Sequence, residues 1–412
     1  MSAGSEVTYR APGVVLTERE HVVPLDHTQP DGPTITVFTR EVADVDGLER
    51  PYLVFFQGGP GFEATRPDPP LIGWQKRALA DFRLLMLDQR GTGRSTPVGE
   101  IPPGTPQEQA DYLAHFRADS IVRDAELIRA QLGVERWSIL GQSFGGFCAM
   151  TYLSIAPGGL REAFITGGLA PIGRPVDDVY TATWRTVGDK NRRYFERYPG
   201  DRARVGEILD RLDAEDVRLP SGDRLTPRRF LQLGFALGMS TGYEEIHHVV
   251  ELPFGSRAFL HDAEAAVRFG RNPIYATLHE SCYADGGATR WSAERTMPDQ
   301  ARDERWFTAE HLFRWMWDDI SALHGHRDVA MVLAEREWPR LYDPDQLARN
   351  EVPVAATIYA NDAYVDRRLA EETAASIKDL RPWLTDEFEH DGLRAGGERV
   401  LGRLIDLTRG RA

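Results

Sequence analysis

The sequence predicts an α/β fold, a mostly parallel sheet with helices on both faces, opened by one large helical insertion. Three observations predict it. Short apolar runs alternate with helix-periodic stretches through residues 52–168 and again from 352, the pattern of an open sheet wound with helices. That alternation lapses between about 172 and 350, where the chain turns helical and rich in Arg, Glu, Trp and His. Between an apolar run and a helix-like one lies Gly141-Gln142-Ser143-Phe144-Gly145-Gly146. This is the G-x-S-x-G pattern of a sharp strand-to-helix turn that lifts a serine oxygen above the sheet.

The first 57 residues read as three strands, at 14–24, 34–43 and 52–57, separated by turns such as Gln29-Pro30-Asp31-Gly32. A helix around 74–81 follows. The nearly continuous apolar run 82–87 then suits a parallel strand covered on both faces. Residues 106–132 have helical periodicity, and Gly133 ends that helix. A buried strand over 136–140 leads into the serine turn. Small residues are needed at Gly141 and Gly145 because strand and helix backbones nearly touch there, and Gly146 lets the helix pack on the sheet. That helix stops at Pro157-Gly158-Gly159, and 164–168 is a further strand. The β pattern resumes at 352–359, with a helix over 369–380, a last short strand over 387–390 and a closing helix over 397–407. Neighbouring α/β elements are usually joined by about 2–6 residues. The insertion at 171–345 is therefore expected to be a helical cap domain above the C-terminal edge of the sheet. It divides the core into a first part at 1–170 and a second at 346–412.

Composition narrows the function. The chain has 412 residues, 42% of them hydrophobic, enough for a large core, and no run approaches the ~18 apolar residues of a membrane span. The first residues lack the basic and apolar regions of a signal peptide. The two cysteines, Cys148 and Cys282, fit free thiols, so a reducing, cytoplasmic setting is expected. With 63 acidic against 49 basic residues, a net charge of −14 and no basic stripe, nucleic acid and membrane are not expected partners. Some of the acids are candidates for a pocket that prefers a cationic substrate. His247-His248 and His324-Gly325-His326 lack companions at metal-ligand spacing, so neither metal nor cofactor is expected.

A serine hydroxyl near neutrality needs an adjacent base, itself oriented by a carboxylate. With a G-x-S-x-G turn in such a sheet, the partners follow in the order Ser, Asp or Glu, His. Ser143 is the candidate nucleophile. The loop after the strand ending at Tyr359-Ala360 offers Asp362 as the acid, while Asp366 is better placed to cap the helix that starts at Arg367. His390 is the only histidine after Asp362. Asp391 is adjacent to it, but consecutive side chains diverge. An oxyanion needs backbone N–H donors from the residue after the nucleophile and from the loop after an earlier strand. These are Phe144 and, in Gln57-Gly58-Gly59-Pro60-Gly61, either Gly58 or Gly59. Together these features specify a serine hydrolase.

Several segments carry a resemblance: Gly58-Gly59-Pro60-Gly61, Asp88-Gln89-Arg90-Gly91-Thr92-Gly93-Arg94-Ser95, the serine turn, Tyr359-Ala360-Asn361-Asp362 with Tyr364-Val365-Asp366, and Glu389-His390-Asp391-Gly392-Leu393-Arg394. They span nearly the whole core. In them the chain resembles the proline iminopeptidases (prolyl aminopeptidases) of the α/β-hydrolase superfamily, and its length resembles their large-cap subgroup. The resemblance implies release of an N-terminal proline, or a similar small residue, through an acyl-enzyme. The substrate would be a peptide or small amide with a free N-terminal amine, read by cap carboxylates beside apolar walls. Glu280-Ser281-Cys282-Tyr283 resembles the family's cap segment bearing such a glutamate, which nominates Glu280 first, with Tyr283 beside it. Glu245, then Glu244 and Glu310, are further candidates. The chain departs from the family pattern around 309–314, which implies a differently contoured cap. The alternative is an amidase or esterase that uses the same scaffold on an amino-acid-derived small molecule.

Overall fold

The computed structural model describes residues 5–99, 101–267 and 269–411. In chain order its strands are β1 (Glu6–Ala11), β2 (Val14–Pro24), β3 (Thr34–Asp44), β4 (Tyr52–Phe56), β5 (Arg83–Asp88), β6 (Trp137–Gln142), β7 (Leu160–Thr166), β8 (Val354–Tyr359) and β9 (Leu380–Thr385). They form one sheet in the order β1-β2-β3-β5-β4-β6-β7-β8-β9. The first four in that order pair antiparallel and the rest pair parallel. Every residue of β4 and β8 is buried, which is why the central strands read as apolar runs.

Helices cover both faces. On one face, Ile121, Val122 and Ile128 of the helix Ala118–Gln131 and Phe147 and Met150 of the helix Phe144–Ile155 pack with Val54, Phe56, Ile139 and Ile165. On the other, Trp74 and Leu79 of the helix Gly73–Leu79 and Leu401, Leu404 and Ile405 of the helix Glu398–Thr408 pack with Leu53, Phe55, Leu84 and Phe164. Between β7 and β8 the chain runs through helices from Val176–Arg197 to Pro344–Ala348, with no named strand among the described residues. Part of this excursion has its own apolar cluster, including Tyr194, Leu209, Leu212, Phe230, Leu233, Phe259 and Phe307. Cys148 and Cys282 are both buried and free.

Five elements differ from the sequence reading. The helix expected over 106–132 is two, Pro106–Ala114 and Ala118–Gln131. The break has a tertiary cause: the buried Arg90 guanidinium donates to the carbonyl of His115 at 2.7 Å, and that of Arg117 donates to the carbonyl of Ser281 at 3.0 Å. The last strand is β9, not 387–390, and the helix before it, Arg367–Ser376, ends earlier than expected. β9 is an edge strand with half of its residues exposed, so no apolar alternation marks it, and Pro382 is tolerated there. β7 begins at Leu160, before the apolar run that suggested it. β1 went unread because it is an almost wholly exposed edge.

Candidate active site

The strand β6 ends at Gln142 and the helix Phe144–Ile155 starts two residues later, with only Ser143 between them. Ser143 makes that turn with φ 56° and ψ −125°, a conformation rare for a residue with a Cβ and worth about 1–3 kcal/mol of strain. Two backbone bonds hold it: its N–H donates to Thr166 O at 2.9 Å, and its carbonyl accepts from Gly146 N–H at 2.7 Å. The glycines around it are sterically required. A Cβ on Gly145 would lie 1.9 Å from the Phe56 carbonyl oxygen, and one on Gly141 would lie 2.2 Å from that of Gly145.

His390 lies in the loop after β9, where its N–H donates to Gly238 O at 2.9 Å and its ring meets Tyr364 edge-on at 4.8 Å. Its Nδ1 is 2.7 Å from Asp362 Oδ2. The other carboxylate oxygen of Asp362 accepts from Tyr364 N–H at 2.9 Å and Val365 N–H at 3.0 Å, which fixes the group in place. Asp366 caps its helix instead, accepting from Arg368 and Leu369 N–H. Asp391 accepts from the N–H and hydroxyl of Ser240. Burial would lower the pKa of His390, but the charge and hydrogen bond of Asp362 outweigh it, with help from Glu310 and Asp391. The ring is held above its ordinary 6.5.

Ser143 and His390 line a single cavity of about 420 Å³, together with Gly58, Gly59 and Gln142. Among the described residues no hydrogen bond joins the serine hydroxyl to the ring. Catalytic bonds are often loose without substrate. The backbone at Gly58 passes so close to the turn that a Cβ there would sit 3.0 Å from Ser143 Cβ. Gly59, at φ 138°, occupies a conformation that L side chains rarely adopt. The amide of Gln89 donates to Gln57 O at 3.0 Å and so braces this loop against β5. Phe144 is the first residue of its helix, where N–H groups have no intrahelical partner.

The candidate substrate-binding residues separate. Glu280, nominated first, does not line this cavity. It is buried elsewhere and accepts from Ser292 N–H at 3.2 Å and Ala293 N–H at 2.9 Å, with burial pushing its pKa up to about 7. It fastens a turn of the helical segment, which corrects the sequence reading. Glu244 is drawn away from the cavity by Arg197 and Tyr198. Tyr283 is also displaced from the expected role: its hydroxyl donates to Tyr364 O at 3.0 Å and its ring packs on Phe147. Glu310 and Glu245 do line the cavity. Glu310 accepts from the Tyr275 hydroxyl at 2.6 Å and Glu245 from the Thr241 hydroxyl at 2.5 Å. Sequence reasoning missed Tyr275, the apolar wall of Phe235, Met239 and Phe269, and Arg394. Only Arg394 left a signal, one helical turn beyond His390 and inside a segment already singled out.

Residues 51–393 match the family model described as the alpha/beta hydrolase fold. A proline iminopeptidase of Aeromonas sobria is 48% identical, over 98% of this chain and 99% of its own length. A proline iminopeptidase of Aspergillus aculeatus is 35% identical, over 98% of this chain and 96% of its own. Among solved structures, a 2-hydroxy-6-oxo-6-phenylhexa-2,4-dienoate hydrolase from Rhodococcus aligns over 96% of this chain and 99% of its own. Its TM-score is 0.45 at 16% identity.

Proposed function

Because this chain belongs to the alpha/beta hydrolase family and, within it, to the proline iminopeptidases, we propose that Ser143, His390 and Asp362 release an N-terminal proline from peptides through a prolyl-enzyme. Asp362 holds Nδ1 of His390, which leaves Nε2 to take the proton of the serine hydroxyl. Ser143 Oγ attacks the proline carbonyl, and the oxyanion is met by N–H groups of Phe144 and of Gly58 or Gly59. The protonated ring then gives its proton to the departing amine, and a water activated by the same ring frees proline. The segment 171–345 acts as the cap, because it supplies Phe235, Met239, Phe269, Tyr275, Glu245 and Glu310 to the wall facing the serine.

The observation that carries this reading is Glu310. Glu310 is half-buried, lines the same cavity as Ser143 and, among the described residues, forms no ion pair; its bond to the Tyr275 hydroxyl leaves acceptor sites free. A protonated proline amine supplies the missing cation, and burying that amine without a carboxylate would cost about 3–5 kcal/mol. Glu245, more exposed on the same wall, adds a second negative charge. Glu310→Gln is expected to lower kcat/KM for proline anilide about 100-fold, equivalent to ~2.7 kcal/mol. N-acetylation of the substrate should cost as much, and the two losses should not add, since both remove one contact. An uncharged acyl ester should be hydrolysed nearly as before. Equal cleavage of acetylated and free proline amides would contradict the reading and favour a small-molecule amidase or esterase.

A further inference from the structure

The same cavity carries a charge that amine recognition leaves unused. Arg394 lines it, in the short helix Gly392–Ala395 that follows His390. Among the described residues the guanidinium forms no ion pair; its one hydrogen bond is from Nη2 to the Met239 sulfur at 3.7 Å. The adjacent Asp391 is occupied by the N–H and hydroxyl of Ser240. One cavity is thus lined by the exposed Arg394 and Glu245 and the half-buried Glu310, none of which forms an ion pair among the described residues. That is the complement of a zwitterion. The volume, about 420 Å³, lies toward the low end of the ~300–1,000 Å³ typical of small-molecule clefts.

We propose that Arg394 reads the C-terminal carboxylate of the substrate, so that the enzyme prefers unblocked peptides of two or three residues beginning with proline. This rests on the reading of the site as a prolyl aminopeptidase. The amine is held at Glu310, the scissile carbonyl sits over Ser143, and the leaving residue extends toward Arg394. An extended chain advances about 3.3–3.6 Å per residue, so each added residue carries the carboxylate further from a fixed guanidinium. A guanidinium suits this task because its planar fork binds a carboxylate bidentately.

The test compares Pro-Gly and Pro-Gly-Gly with their C-terminal amides, and with a longer Pro-initiated glycine peptide, in the wild type, Arg394→Gln and Arg394→Lys. In the wild type the free acid of the dipeptide or tripeptide is expected to exceed its amide at least tenfold in kcat/KM. The difference should lie mainly in KM, since the contact exists in ground and transition states alike. Arg394→Gln should bring the acid-to-amide ratio close to one, and Arg394→Lys should restore part of it. The ratio is internal to each variant, so partial misfolding does not mimic the result. Equal wild-type cleavage of acid and amide, a ratio unchanged in Arg394→Gln, or an undiminished rate on the longer peptide would overturn the proposal. If proline anilide is cleaved while the acid shows no advantage, only this inference fails. If proline anilide is not cleaved at all, the parent reading fails with it.

Discussion

Asp362 and Asp366 share one loop, yet their carboxylates do different work. Asp362 spends one oxygen on two backbone N–H groups and aims the other at His390, while Asp366 is committed to its own helix. Asp362→Asn is expected to lower kcat about 10⁴-fold, because the ring loses both its orientation and the charge that stabilises its protonated form. Asp366→Asn should leave kcat nearly intact, and a steady-state comparison of the two variants checks the ranking. The pH profile follows from the same contact. A histidine serves as base only when neutral, and the pKa of His390 is held above the ordinary 6.5. Activity in kcat/KM should therefore fall as pH drops through a value above 6.5. In Asp362→Asn the residual acid limb should move to lower pH, since burial then acts with less opposition. The pairing of Asp362 with His390 was legible because the expected chain order allows few arrangements and one histidine remained. The direction of each candidate glutamate was not. Glu280 and Glu310 both stand in plausible contexts, and only the tertiary partners, Ser292 and Ala293 for one and Tyr275 for the other, decide which faces the serine.

At the scale of elements, the serine turn was readable because its geometry leaves almost no choice of residue. A Cβ on Gly145 would collide with backbone, not with a yielding side-chain tip. Gly145→Ala is expected to destabilise the fold by about 3 kcal/mol or more, near the top of the usual range for overpacking. It should appear as a lower urea midpoint at unchanged slope. Elements failed to be legible where tertiary contacts or edges govern them. The helix break after Ala114 depends on a carbonyl captured by Arg90 from β5's following loop, which no local window contains. β9 lies at the sheet edge, so Arg381 and Pro382 cost it little and disguise it. With the strand at 380–385, His390 lies in the loop beyond it, where its backbone bond to Gly238 and its ring contact with Tyr364 set Nδ1 against Asp362.

Across the whole molecule, the parallel half of the sheet delivers the three candidate catalytic residues from the ends of β6, β8 and β9, while the helical segment between β7 and β8 supplies the opposite wall. No helix among the described residues is long and apolar enough to cross a membrane. Many of the chain's charged side chains form surface ion pairs, each worth little. In the proposed reading, the charges that meet the substrate are Glu310, Glu245 and Arg394, which line the cavity and form no ion pair among the described residues. Their arrangement has meaning only if Ser143 is the atom that attacks. Fluorophosphonate labelling followed by peptide mapping tests that claim most directly. A single adduct on Ser143, abolished in His390→Ala, is the expected result; an adduct on another serine, or labelling that persists without His390, would contradict it.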